Sequence, residues 1–167
     1  KWDTEKYVKE YNFLLNNDKS NVNWYILRYA DVLLMYAEAL NEWHHGPNNA
    51  ALAALNMVRR RGYGLPYNEA NTTVDLKSTS YEGFQEYIRN ERAYELAFEG
   101  NRRQDLIRWG MYYETIVNTY IKLIGWYPEA NYVAYQYTQK NKHELLPIPA
   151  RDMSLMENFK QNQGWGD

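Results

Sequence analysis

Between Tyr81 and Trp109 the sequence sets six carboxylates and five guanidiniums within twenty-nine residues. Lys is absent from this stretch, although the chain has nine elsewhere. A merely solvated face has no need of that choice; Arg is favoured where a planar fork must hold a carboxylate in a partly buried setting. Glu91, Glu95 and Glu99 recur at i, i+4 and i+8, which puts them on one face if the helix runs through all three. Phe84, Ile88, Leu96 and Phe98 are interleaved with them. The pattern predicts an internal ion-pair network, with Arg92, Arg102, Arg103 and Arg108 as partners. The competing chemistry is glycoside hydrolysis, which needs two carboxyls facing across a cleft. Three acids in one row among arginines suit paired, ionised groups better, so no catalytic residue is assigned.

Other constellations are thinner. His44 and His45 are adjacent, about 100° apart on a helix, and cannot share a metal on one face. Glu42 with His45 lacks a third ligand, so no metal and no cofactor is expected. Arg59-Arg60-Arg61 resembles a nucleic-acid patch, but cations before Gly62 suit the end of a helix dipole. With a net charge of −2, no nucleic-acid partner is expected. Neither a glycine-rich phosphate loop nor a nucleophile motif is present. Sugar contact calls for aromatic rings beside amides, since a pyranose stacks its C–H face on a ring while polar side chains meet its hydroxyls. With 17 Tyr and 6 Trp, the candidates are the rings on irregular polar segments: Trp43, Tyr63, Tyr67, Trp126, Tyr127, Tyr132 and Tyr135.

The elements that must carry these residues are helical. Tyr25 to Asn41 has Ala30, Leu33, Leu34 and Ala37 at helical spacing, and the two Ala residues permit close helix approach. His44 to Asn48 turns the chain, and Ala50 to Arg60 makes a second helix with Leu52, Leu55 and Val58 inward. This pair resembles a tetratricopeptide-like unit. Gly62 to Ser80 reads as a long polar loop. Thr79 with Glu82 predicts a capping box for the central helix, Gly100 a left-handed terminus, and Asn101 with Gln104 a cap for the next. Met111 to Ile124 is a further helix, broken by Gly125-Trp126-Tyr127-Pro128. Tyr132, Tyr135 and Tyr137 lack helical spacing. Leu145 to Pro149 must be extended, because residues before Pro avoid the helical region. The chain of 167 residues suits one domain with a real core. There is no Cys, which excludes disulfides and thiolate sites. No apolar run approaches a membrane span.

Three ordered blocks carry a family resemblance. The first is Arg28 to Asn41 with Leu55 to Arg61. The second is Ile88 to Arg92, Glu95 to Arg102 and Asp105 to Gly110. The third is Leu146-Pro147-Ile148-Pro149, a short helix, then Gln161-Asn162-Gln163-Gly164-Trp165. Together they resemble the SusD/RagB family of outer-membrane glycan-binding lipoproteins. Gln163 stands where Pro is usual, and Arg103-Gln104 where aromatics are common. The resemblance implies a mainly α fold, SusD-like, with tetratricopeptide-like helix pairs and long irregular segments packed on them. It further implies one C-terminal domain over residues 1–167, with the repeat region, lipoprotein signal and lipid anchor lying outside this chain. The implied function is non-catalytic capture of an oligosaccharide or polysaccharide at the cell surface, together with a SusC-like TonB-dependent transporter. A tetratricopeptide-like scaffold for a protein or peptide is the alternative.

Overall fold

The computed structural model describes residues 25–156 and 158–166. Among them are seven helices and no strand: α1 Tyr29–His44, α2 Asn49–Gly62, α3 Tyr81–Glu95, α4 Arg102–Arg108, α5 Tyr112–Trp126, α6 Val133–Tyr137 and α7 Ala150–Leu155. The fold is mainly α, as the blocks imply. The helices divide between two compact units that part at Gly100 and Asn101.

In the first unit, α1, α2 and α3 pack on one another. Their shared core is Leu34 and Ala37, then Ala51, Ala54, Leu55 and Val58, then Phe84 and Ile88. The small residues let the helix axes approach, while each fully buried Leu, Ile or Phe contributes about 2 kcal/mol. α1 begins at Tyr29 rather than Tyr25, because Arg28 holds an extended conformation (φ −138°, ψ 159°). α2 is capped by Asn48, which accepts from Ala51 N at 2.8 Å. For α3 the cap is Ser80, one residue beyond the expected Thr79, and it accepts from Gly83 N at 3.1 Å.

The 62–80 loop is pinned to α2 rather than free. The buried Asn56 amide donates to Leu76 O at 3.0 Å and accepts from Leu76 N at 2.9 Å, as a neighbouring strand would. Arg60 grips Asp75 through two bonds, at 2.6 and 2.5 Å, and Arg59 Nε donates to Val74 O at 2.6 Å. The Arg59-Arg60-Arg61 run is therefore spent on specific acceptors. All three also lie in the last turn of α2, where the helix dipole favours cations.

α3 stops at Glu95. Leu96 caps it, Phe98 takes φ +65° and Gly100 φ +85°. A left-handed Phe costs about 1–2 kcal/mol, while Gly100 adopts its angle freely. Glu99 thus lies beyond the helix, and the single helical row of three acids is not realised.

The second unit holds α4 to α7, with α5 packed on both α4 and α6. Asn101 precedes α4 in a helical conformation and makes no side-chain cap, so the expected capping box does not form. Among its described residues, two apolar side chains are buried, Leu106 and Ile116. Side chains bonded to backbone hold much of the remainder. Gln161 accepts from Ile148 N at 2.7 Å and donates to Ile148 O at 2.9 Å. Asn162 Nδ2 donates to Leu146 O at 2.7 Å. The amide pair thereby replaces a strand ladder for the extended Leu-Pro-Ile-Pro run, whose prolines lack N–H groups. Trp165 Nε1 donates to Lys142 O and Leu145 O at 3.1 and 3.2 Å. Gly164 sits at φ +79° against the Lys142 side chain, where an added Cβ would crowd atoms 3.0 Å away. The expectation that Tyr132, Tyr135 and Tyr137 lie on irregular chain is corrected in part. Val133–Tyr137 is a short helix, stabilised by the stacking of Tyr135 on Tyr120 at 4.0 Å.

Candidate functional site

The acidic row meets cations from distant chain. Arg28 Nε and Nη2 donate to the two oxygens of Glu99, both at 2.8 Å. Arg28 also donates to Glu95 Oε1, the atom that accepts from Arg61 Nη2, and reaches Glu95 O at 2.5 Å. Arg59 Nη1 meets Glu91 at 3.1 Å and Arg92 Nη1 meets Asp31 at 2.7 Å. Glu91, Arg92, Glu95 and Glu99 are all buried. Burial alone would lower the Arg28 pKa, but its hydrogen bonds to Glu99 and Glu95 and their charges outweigh that and raise it. Burial pushes the Glu91 carboxyl up; Arg59 opposes the rise and the charge of Glu95 adds to it. Glu91 and Glu95 stand one turn apart on the same helix wall, so they do not face each other as hydrolytic carboxyls must.

Three further arginines of the stretch belong to the second unit. Arg103 donates to His143 O at 2.6 Å and lies 5.2 Å over the Tyr112 ring. Arg108 bonds Asp105 at 3.0 Å and lies 4.6 Å over Trp109, with Arg102 5.6 Å over the same ring. From sequence, Asp31 and Glu38 share a helix face and could hold Arg28 or Arg59; in the structure Asp31 pairs with Arg92, Arg28 with Glu95 and Glu99, and Arg59 with Glu91. Arg61 as a partner of Glu95 carried no signal in the spacing.

The ring candidates divide between the units. Trp126 closes α5 on the side shared with the exposed Thr119 and Lys122, and is 75% exposed; Tyr127 is the C-cap, also exposed. Trp126 is thus held by the last helical turn, not by a loop beyond it. Tyr132 precedes α6 and is half-buried, while the Tyr135 ring is committed to Tyr120. Neighbouring Asn131 and Gln136 expose their amides.

On the first unit, Trp43 is exposed near the end of α1. Tyr63 lines a cleft of about 620 Å³ with Arg59, Tyr87, Asn90, Glu91 and Tyr94. Tyr67 lines another of about 490 Å³ with Arg28, Tyr29 and Arg61. Tyr87, Asn90 and Tyr94 were not singled out from sequence, although their i, i+3, i+7 spacing marks one face of α3.

Glu42 is engaged by Tyr81 Oη at 2.6 Å and Gln85 Nε2 at 2.7 Å, bonds that hold its pKa below the usual range. Among the described residues no three metal-ligating side chains cluster, and no helix is long and apolar enough to cross a membrane.

The family comparison agrees with the blocks: the SusD family model matches residues 1–165, and the chain belongs to that family. It is 36% identical over 147 residues to SusD-like protein P25 of Formosa agariphila, covering 86% of this chain and 25% of that protein. SusD-like protein P2 of the same organism is 30% identical over 151 residues, covering 88% and 26%. The chain thus spans about a quarter of the length of these relatives. A crystal structure of a SusD homolog from Bacteroides thetaiotaomicron superposes with a TM-score of 0.80 at 55% identity, over 91% of this chain and 29% of that one. A SusD superfamily protein from Parabacteroides distasonis gives 0.58 at 26% identity, over 90% and 29%.

Proposed function

We propose that this chain belongs to a non-catalytic glycan-capture lipoprotein at the surface of the outer membrane, delivering oligosaccharides to a SusC-like TonB-dependent transporter. Membership of the SusD family carries the reading. The exposed rings of Trp126 and Tyr127 support it, because the last turn of α5 presents them to solvent beside exposed amides. Buried acids paired with arginines suit a scaffold that binds without covalent chemistry. The test is calorimetric titration of the 167-residue chain with a panel of hexasaccharides: malto-, cello-, xylo-, manno- and laminarihexaose. At least one should bind, Trp126→Ala should weaken it roughly tenfold, about 1.4 kcal/mol, and no new reducing ends should appear. Turnover removed by mutating a single carboxylate would refute the reading.

One observation favours the scaffold alternative. Tyr29, Val32, Tyr36, Ala39 and Trp43 are exposed on α1 at alternating spacings of three and four, the stripe an apposed helix would fill. A peptide or protein helix seated there would quench the fluorescence of Trp43 while sparing hexasaccharide binding.

A further inference from the structure

The geometry points to a second saccharide site on the first unit, in the cleft between α2 and α3, separate from the Trp126 segment. This inference rests on the glycan-capture reading and assigns a site to residues other than the exposed rings of α5. The cleft, about 620 Å³, lies within the range of ligand pockets, roughly 300–1,000 Å³. Its composition fits a neutral sugar. Tyr63 and Tyr94 are 59% and 71% exposed, which leaves ring surface for a pyranose C–H face, with one face of Tyr63 already lying under Arg59. Asn90, one turn before Tyr94, exposes an amide that can both donate to and accept from hydroxyls.

The site is also built in advance of any ligand. Arg59 is fixed between Glu91 at 3.1 Å and Val74 O at 2.6 Å, and its guanidinium lies 5.2 Å from the centre of the Tyr63 ring. Tyr87 is set edge-on against the buried Phe84 at 6.4 Å. A wall already ordered by such contacts loses little conformational freedom when a ligand arrives. The charges that line the cleft are matched in place: Glu91 with Arg59, and Glu95 with Arg28 and Arg61. That balance favours an uncharged hydroxylated ligand over a phosphate or an amine.

Calorimetry with the same hexasaccharide panel decides the matter, using Tyr94→Ala, Tyr94→Phe and Asn90→Ala. Both Ala variants should weaken one class of sites about tenfold or more, while Tyr94→Phe, which keeps the ring, should bind as the parent does. Trp126→Ala should leave that class intact. Because Tyr94 and Asn90 are exposed, melting temperatures should hold; if Tyr94→Ala nevertheless fails to fold, Asn90→Ala alone decides. Unchanged binding in the Ala variants, with loss only in Trp126→Ala, overturns the cleft and leaves glycan capture standing. Absence of binding by the parent to every member of the panel overturns both.

Discussion

The two compact units are stabilised by different means. The first buries eight apolar side chains in one cluster and surrounds it with paired charges. Among its described residues the second buries two, and it relies on arginines over aromatic rings and on amides bonded to backbone. Apolar burial is non-directional and tolerates small displacements, whereas a side-chain amide that replaces a strand works only at hydrogen-bond geometry. The first unit should therefore fail when a charge is stranded, and the second when a single polar pin is drawn.

The largest effect is expected from Glu95→Ala. It removes the carboxylate shared by Arg28 and Arg61, of which Arg28 keeps both bonds to Glu99, and removing one member of a buried pair costs about 3–5 kcal/mol. Since both cations keep some access to water, the lower end is expected. Urea denaturation measures it; a loss below about 1 kcal/mol would show that the apolar core alone holds the first unit.

Gln161→Ala should follow. It leaves Ile148 N and O without these partners, at about 1–3 kcal/mol, and should raise amide exchange at Ile148 while residues of α1 to α3 stay protected. Uniform exchange across both units would erase the distinction drawn here.

Acid should separate two carboxyls within the first unit. Bonds from Arg60 hold Asp75 below its ordinary value, so its contribution is present above that value and is lost as pH falls through the lower folded one. Glu91 is raised by burial, so its contribution is present below the ordinary glutamate value and is lost as pH rises through the higher folded one. The stability gap between parent and Asp75→Asn should shrink on acidification. Relative to the parent, Glu91→Gln should gain as pH rises. Parallel urea midpoints between pH 3 and 7 would contradict both assignments.

The smallest effect belongs to Trp126→Ala. At 75% exposure its removal should move stability by no more than about 0.5 kcal/mol, read from the thermal midpoint. A large loss would make the end of α5 part of the second unit's core instead of a contact surface.

The helices themselves were legible. Leu34, Ala37, Leu55 and Val58 fall on the predicted faces, and α2 and α5 begin and end within two residues of where spacing and turn residues place them, whereas α3 stops at Glu95, short of its expected end at Gly100. Of the caps, Ser80 replaced Thr79 because the first helical residue is Tyr81, and Asn101 entered the helix without capping it. The brief helix at Val133–Tyr137 was hidden, since five residues make barely more than one turn and a distant ring stack sustains it.

Composition and periodicity alone determined that this chain is helical, free of thiol chemistry, and bearing acids that need arginine partners. The order of the residues carried the three blocks whose resemblance marks its family. Which arginines those would be was decided only in three dimensions: Arg28 meets Glu99 across 71 residues and Arg92 meets Asp31 across 61. Helical spacing determines the face a side chain occupies, but its partner arrives on another helix, whose approach is set by the packing of Leu34, Leu55 and Phe84. The cleft has the same origin. Tyr63 follows one helix and Tyr94 belongs to another, and only the packing of α2 and α3 makes them walls of one space.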